Sequence, residues 1–107
     1  MIWISRTHER VRFIAPVEVS WVNRAGKECS AKGNTVNISP LGMQVEVNAP
    51  IHLLAAVRVR VAGKEVMSKA SVRHCRQVCS WFRLGLEFEQ TLLSEGIPDL
   101  TEVLRNL

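Results

Sequence analysis

At 107 residues the chain has length for one hydrophobic core and not for two. Apolar residues make up 47% and charged residues 22%, which excludes a disordered tail, a fibrous repeat and a low-complexity linker. The formal net charge of +4 and the pI near 9.4 favour a polyanionic partner.

Met1 to Arg12 mix apolar and basic residues without a period, so residues 1–13 are expected to form a flexible basic arm. Arg6, His8, Arg10 and Arg12 gather positive charge there, opposed only by Glu9. Met1 to Ile4 is too short for a signal core or a membrane span. From Pro16 a period of two begins: Val17, Val19 and Trp21 share one face, with Glu18 and Ser20 on the other, and Asn23 to Lys27 close the strand with a turn. A second strand is expected from Glu28 to Ile38, with a bulge or bend at Gly33 and Asn34. Asn37 to Gly42 then connects to a third strand, in which Met43, Val45 and Val47 alternate with Gln44, Glu46 and Asn48.

Val57, Val59 and Val61 against Arg58 and Arg60 give a fourth strand, and Ala62-Gly63-Lys64 a tight hairpin turn. The fifth runs from Glu65 to about Cys75, with Val66, Ser68, Ala70, Val72 and His74 on one face. The sixth turns Phe82, Leu84, Leu86 and Phe88 inward and Arg83, Gly85, Glu87 and Glu89 outward. Beyond it Leu100, Val103, Leu104 and Leu107 have a helical period behind Pro98 and Asp99, so residues 97–107 are expected to form a helix. Six short antiparallel strands and a terminal amphipathic helix describe a mainly β protein: a small closed or nearly closed barrel over residues 14–89, since closure removes exposed sheet edges, with the helix plugging or covering one opening.

Cys29, Cys75 and Cys79 are odd in number, which disfavours a disulfide framework and points to a reducing cytoplasm. Cys75, Cys79 and the adjacent His74 lack a second pair of ligands at zinc spacing, so no metal site is expected. No Gly-rich phosphate loop ending in Lys-Ser or Lys-Thr is present, and no nucleophile, base and acid stand at readable spacing; the chain is not expected to be an enzyme.

Two signatures carry the functional reading. In Arg6-Thr7-His8-Glu9-Arg10, each planar guanidinium can make paired charge-assisted bonds to a phosphate, match the acceptor edge of guanine, or stack on a base. In Asn37-Ile38-Ser39-Pro40-Leu41-Gly42, Asn37 and Ser39 suit a polar turn, and Gly42 allows positive φ or close approach of the backbone to a ligand.

These two runs resemble the R-x-x-x-R and [D/N]-x-S-x-x-G motifs of the PilZ domain family, bacterial receptors for cyclic di-GMP, and Phe82-Arg83-Leu84-Gly85-Leu86-Glu87-Phe88 is similar to the family's last strand. The resemblance implies a PilZ-like barrel whose arm wraps the cyclic dinucleotide. Arg6 and Arg10 would form the clamp, Asn37 and Ser39 would read the base, and Gly42 would provide clearance. His74 falls where many members carry an aromatic residue, so it is a possible additional contact, although a half-buried strand position is the simpler expectation. Ser5 stands where many members have a further arginine, which bears on one ligand molecule against two. The family also implies a downstream protein partner, in motility or exopolysaccharide machinery, without nucleic acid binding or membrane insertion.

Two alternatives stay open: a PilZ-like adaptor that binds no nucleotide and acts through protein contacts, and a small-barrel binder of single strands. The second stacks bases on exposed aromatics, and here there is no Tyr while Trp21, Phe82 and Phe88 fall on expected core faces.

Overall fold

The computed structural model describes residues 10–89, and every regular element among them is a β-strand. In chain order these are β1 (Val11–Arg12), β2 (Pro16–Val22), β3 (Glu28–Ser39), β4 (Gly42–Val47), β5 (Ala56–Val61), β6 (Lys64–Val78) and β7 (Trp81–Phe88). All pairings are antiparallel, in the order β3-β2-β5-β6-β7-β4, and a further β3–β4 pairing closes the ring into a six-stranded barrel. The short β1 adds to β3 alone, through Val11 opposite Ile38 and Arg12 opposite Asn37. The end of the expected flexible arm is therefore strand, too short for any period to reveal. The expected helix over 97–107 lies outside the described residues, among which there is no helix.

Closure arises from the period-two pattern. Val17, Val19, Met43, Val45, Val47, Val57, Val59, Val61, Val72, Leu84, Leu86 and Phe88 all point into one buried core, each contributing about 1.5–3 kcal/mol when fully buried. Trp21 packs against the core only partly buried. Ala62 and Gly63, with φ of 51° and 83°, make the two-residue turn joining β5 to β6. Positive φ at both positions matches the twist of the strands they connect.

Among the described residues the pairings shift register at four points, two of them between β5 and β6, and the other two decide what β3 and β6 show to the outside. Strand β3 carries its bulge at Val36, between Thr35 and Asn37, and not at Gly33 and Asn34, which stay in regular pairing. Gly33 is needed for another reason. It is paired to β2 and β4 at once, and a Cβ there would overlap the Glu46 carbonyl group. A bulge inserts one residue and so reverses which side chains face inward beyond it. Thr35 faces the core side and is buried, yet Ile38, three positions on, is also fully buried, which leaves Asn37 on the outer face. The second bulge lies in β6 between Val72 and His74. Val72 is buried and His74 is exposed, so the expectation that both share one face is corrected by this single extra residue, Arg73.

Candidate functional site

Two buried side chains, Thr35 and Phe13, fasten the stretch before β2 to the barrel. Thr35 Oγ1 donates to the Phe13 carbonyl at 2.5 Å and accepts from the Ala15 amide at 2.8 Å. The backbone bonds Thr35 N–H to Ala15 and Phe13 N–H to Val36 complete the attachment. Phe13 is 5% exposed, so its ring anchors this stretch in the core while the residue before β1, Arg10, is held at the outer rim of β3.

On the outside of β3, β4, β7 and β6 the strand registers form a lateral row. Asn37 is opposite Gln44, Gln44 opposite Gly85, and Gly85 opposite His74. Along it Arg10 Nη1 donates to Asn37 Oδ1 at 2.9 Å, and Asn37 Nδ2 donates to Gln44 Oε1, also at 2.9 Å. Asn37 is thereby oriented, its carbonyl oxygen toward the arginine and its amide toward β4. The next row pairs Ser39 with Gly42 and Gly42 with Glu87. Ser39 is buried, with its Oγ 3.4 Å from the Gly42 carbonyl oxygen, across the Pro40-Leu41 turn between β3 and β4. The Phe88 amide donates to the Leu41 carbonyl at 2.8 Å and ties this turn to the end of β7.

Gly42 and Gly85 occupy outward positions on adjacent strands, and each excludes a side chain for a different reason. A Cβ at Gly42 would overlap the Leu86 carbonyl oxygen, so its absence lets β4 and β7 approach. Its φ is not positive, and of the two properties expected of it close approach is the one seen, with the neighbouring strand as the neighbour. A Cβ at Gly85 would meet the His74 imidazole, which lies across this position. The result is an open depression of about 390 Å³ lined by Arg10, Ser39, Leu41, Gly42, Arg73, His74, Gly85, Leu86 and Glu87. Arg73 Nη1 stands 3.2 Å from Glu87 Oε1.

Among the residues named from sequence, Arg10, Ser39, Gly42 and His74 line one depression, and Asn37 is bonded to Arg10. Arg6 lies outside the described residues. His74 is exposed and not half-buried as expected. Nothing in the sequence marks Gln44, Arg73 and Glu87, because outward polar residues on alternating strands look alike until the register is known, and Thr35 is an inward polar residue whose partners come from a distant segment. Chemically the depression offers guanidinium groups from two sides and a floor without a side chain of its own at Gly42 and Gly85, the latter covered by the His74 imidazole, features suited to a flat anionic ligand or partner group. Cys29, Cys75 and Cys79 are free thiols. Among the described residues no three His, Cys, Asp or Glu side chains cluster to hold a metal ion, and no helix is long and apolar enough to cross a membrane.

A closed six-stranded barrel carrying a cationic depression on its outer wall defines a binding module. The family model for the PilZ domain matches residues 4–99, and the chain belongs to that family. PilZ domains are receptor or adaptor modules connected with cyclic di-GMP, not enzymes. A search of curated proteins finds no match to this chain.

Proposed function

We propose that this PilZ domain is a cytoplasmic receptor that binds cyclic di-GMP on the outer wall formed by β3, β4, β7 and β6. Arg10, with Arg6 from the preceding segment, grips phosphate and guanine; Asn37 and Ser39 read a guanine edge; Gly42 keeps the β4–β7 surface low; and His74 packs against a base. The bound arm then forms a new surface for a downstream protein, of the motility or exopolysaccharide class.

One observation carries this reading: the 2.9 Å bond between Arg10 and Asn37 joins two motifs 27 residues apart in sequence. The two signatures act on one patch of surface, as a clamp and a reader of one ligand require. The wall also has the right sign, since a ligand with two phosphates meets guanidinium groups there.

A thermal-shift series with cyclic di-GMP, cyclic di-AMP, GTP and GMP tests the proposal. Ligand at a hundred times its Kd stabilises the folded state by about 2.7 kcal/mol. The expected result is a rise in Tm with cyclic di-GMP alone. Equal rises with all four would reduce the site to a general anion binder. A flat response to all four would leave the adaptor reading in its place.

A further inference from the structure

We infer that Arg73 is a second phosphate-binding residue of this site and that Glu87 holds it in reserve, so that the Arg73–Glu87 pair acts as an electrostatic gate. The inference rests on the reading of the depression as a cyclic di-GMP site, and adds to it a residue belonging to neither sequence motif.

Three observations lead to it. First, Arg73 is the extra residue of the β6 bulge, and it lines the depression from the side opposite Arg10. Arg10 is bonded to β3, while Arg73 belongs to β6; between them lie β4 and β7, with no side chain of their own at Gly42 and Gly85 and the His74 ring over Gly85. Three strand spacings of about 4.8 Å separate the two supporting strands. A ring compound with a phosphate on each of two opposite sides calls for a cation on each side, and Arg10 stands on one of them.

Second, Arg73 is held by a partner it can leave. Its bond to Glu87 is single and 3.2 Å long, with both side chains more than half exposed, at 54% and 57%. Exposed pairs of this kind contribute little net stability, so exchanging one anion for another costs little. The nearby Arg83 is a contrast. It places Nε at 3.1 Å and Nη2 at 2.5 Å from one oxygen of Glu46, and both side chains are about two-thirds buried. Arg83 is committed to the wall, whereas Arg73 is available to a ligand.

Third, Glu87 lines the same depression. Its carboxylate opposes an incoming phosphate, and on ligand binding the guanidinium of Arg73 turns from carboxylate to phosphate, exchanging one charge-assisted bond for another. No covalent bond changes and no proton moves.

Calorimetric titration of cyclic di-GMP into wild type, Arg73→Ala, Arg73→Lys, Glu87→Gln and Glu18→Gln tests this, with thermal melts to establish that each variant is folded. Arg73→Ala should weaken binding fivefold or more, and Arg73→Lys should recover part of the loss, since it keeps the charge but not the planar fork. Glu87→Gln should tighten binding threefold or more. Glu18→Gln, which removes the same charge from β2 on the opposite wall, should stay within twofold of wild type. The gate is overturned if wild type binds and both the Arg73→Ala and Glu87→Gln variants match it, if Glu87→Gln binds more weakly, or if Glu18→Gln tightens binding as much as Glu87→Gln does. Absence of binding by wild type itself would remove the underlying reading and the gate with it.

Discussion

The two walls of the barrel share an interior and differ outside. On the β2–β5 wall, outward positions carry side chains that face each other in register: Glu18 opposite Arg60, with 3.9 Å between their charged atoms, and Ser20 opposite Arg58. On the β4–β7 wall, Gly42 and Gly85 present no side chain, and the polar groups around them run in a hydrogen-bonded line from Arg10 through Asn37 to Gln44. The valines and leucines beneath both walls alternate in the same way. Interior pattern therefore determines that a barrel forms, while two missing side chains and two bulges determine which wall can receive something.

The sharpest way to break this difference is to fill the bare wall. Gly42→Ala places a methyl group against the Leu86 carbonyl, which belongs to the backbone and cannot step aside without opening the β4–β7 ladder. A loss of about 3 kcal/mol is expected, at the upper end of overpacking, read as a fall in the denaturation midpoint. Thr35→Val comes next. The isosteric methyl leaves the Phe13 carbonyl and Ala15 amide without their buried partner, at a cost of about 2 kcal/mol. Faster amide exchange at Ala15, with β5 and β6 unchanged, is the expected local signature.

Arg10→Ala tests the polar line without touching the core. Arg10 is exposed, so the melting temperature should hold while affinity for cyclic di-GMP falls about tenfold, equivalent to about 1.4 kcal/mol, by calorimetry. Gly85→Ala should have the smallest effect on stability, below about 1 kcal/mol, because its obstacle is the end of the His74 side chain, which can rotate. The His74 ring resonances should nevertheless shift. A Gly85→Ala cost equal to that of Gly42→Ala would show that the two glycines are not separate cases.

Much of this fold is legible in the sequence because alternation is written into side-chain chemistry. Leu84, Leu86 and Phe88 read inward as the structure has them, although Phe82, expected beside them, is half-buried and outside the core cluster, and Ala62-Gly63 forms the turn its composition suggests. The Asn37 to Gly42 run reads as the passage between two strands, and Ser39 and Gly42 are paired across its turn. Phase is what the sequence conceals. A bulge needs no special residue: Val36 is as good a strand former as its neighbours, and Arg73 resembles any outward arginine. Simple alternation therefore puts His74 on the face of Val72, and the β3 bulge at the glycine that attracts such a reading. The pairing of Val11 and Arg12 with β3 is equally hidden, since two residues cannot display a period.

The bulges at Val36 and Arg73 also bear on ancestry and engineering. Each adds one amino acid to its strand while the residues on either side keep consecutive partners on the neighbouring strand, so the addition is absorbed locally and the faces beyond it are preserved. Dropping Val36 would leave Asn37 next to Thr35 and still opposite Gln44, and dropping Arg73 would leave His74 next to Val72 and still opposite Gly85, so both would go on facing outward. A codon gained or lost at either point is therefore one these strands can absorb, and at Arg73 it would add or remove a guanidinium on the outer wall while its neighbours keep their places.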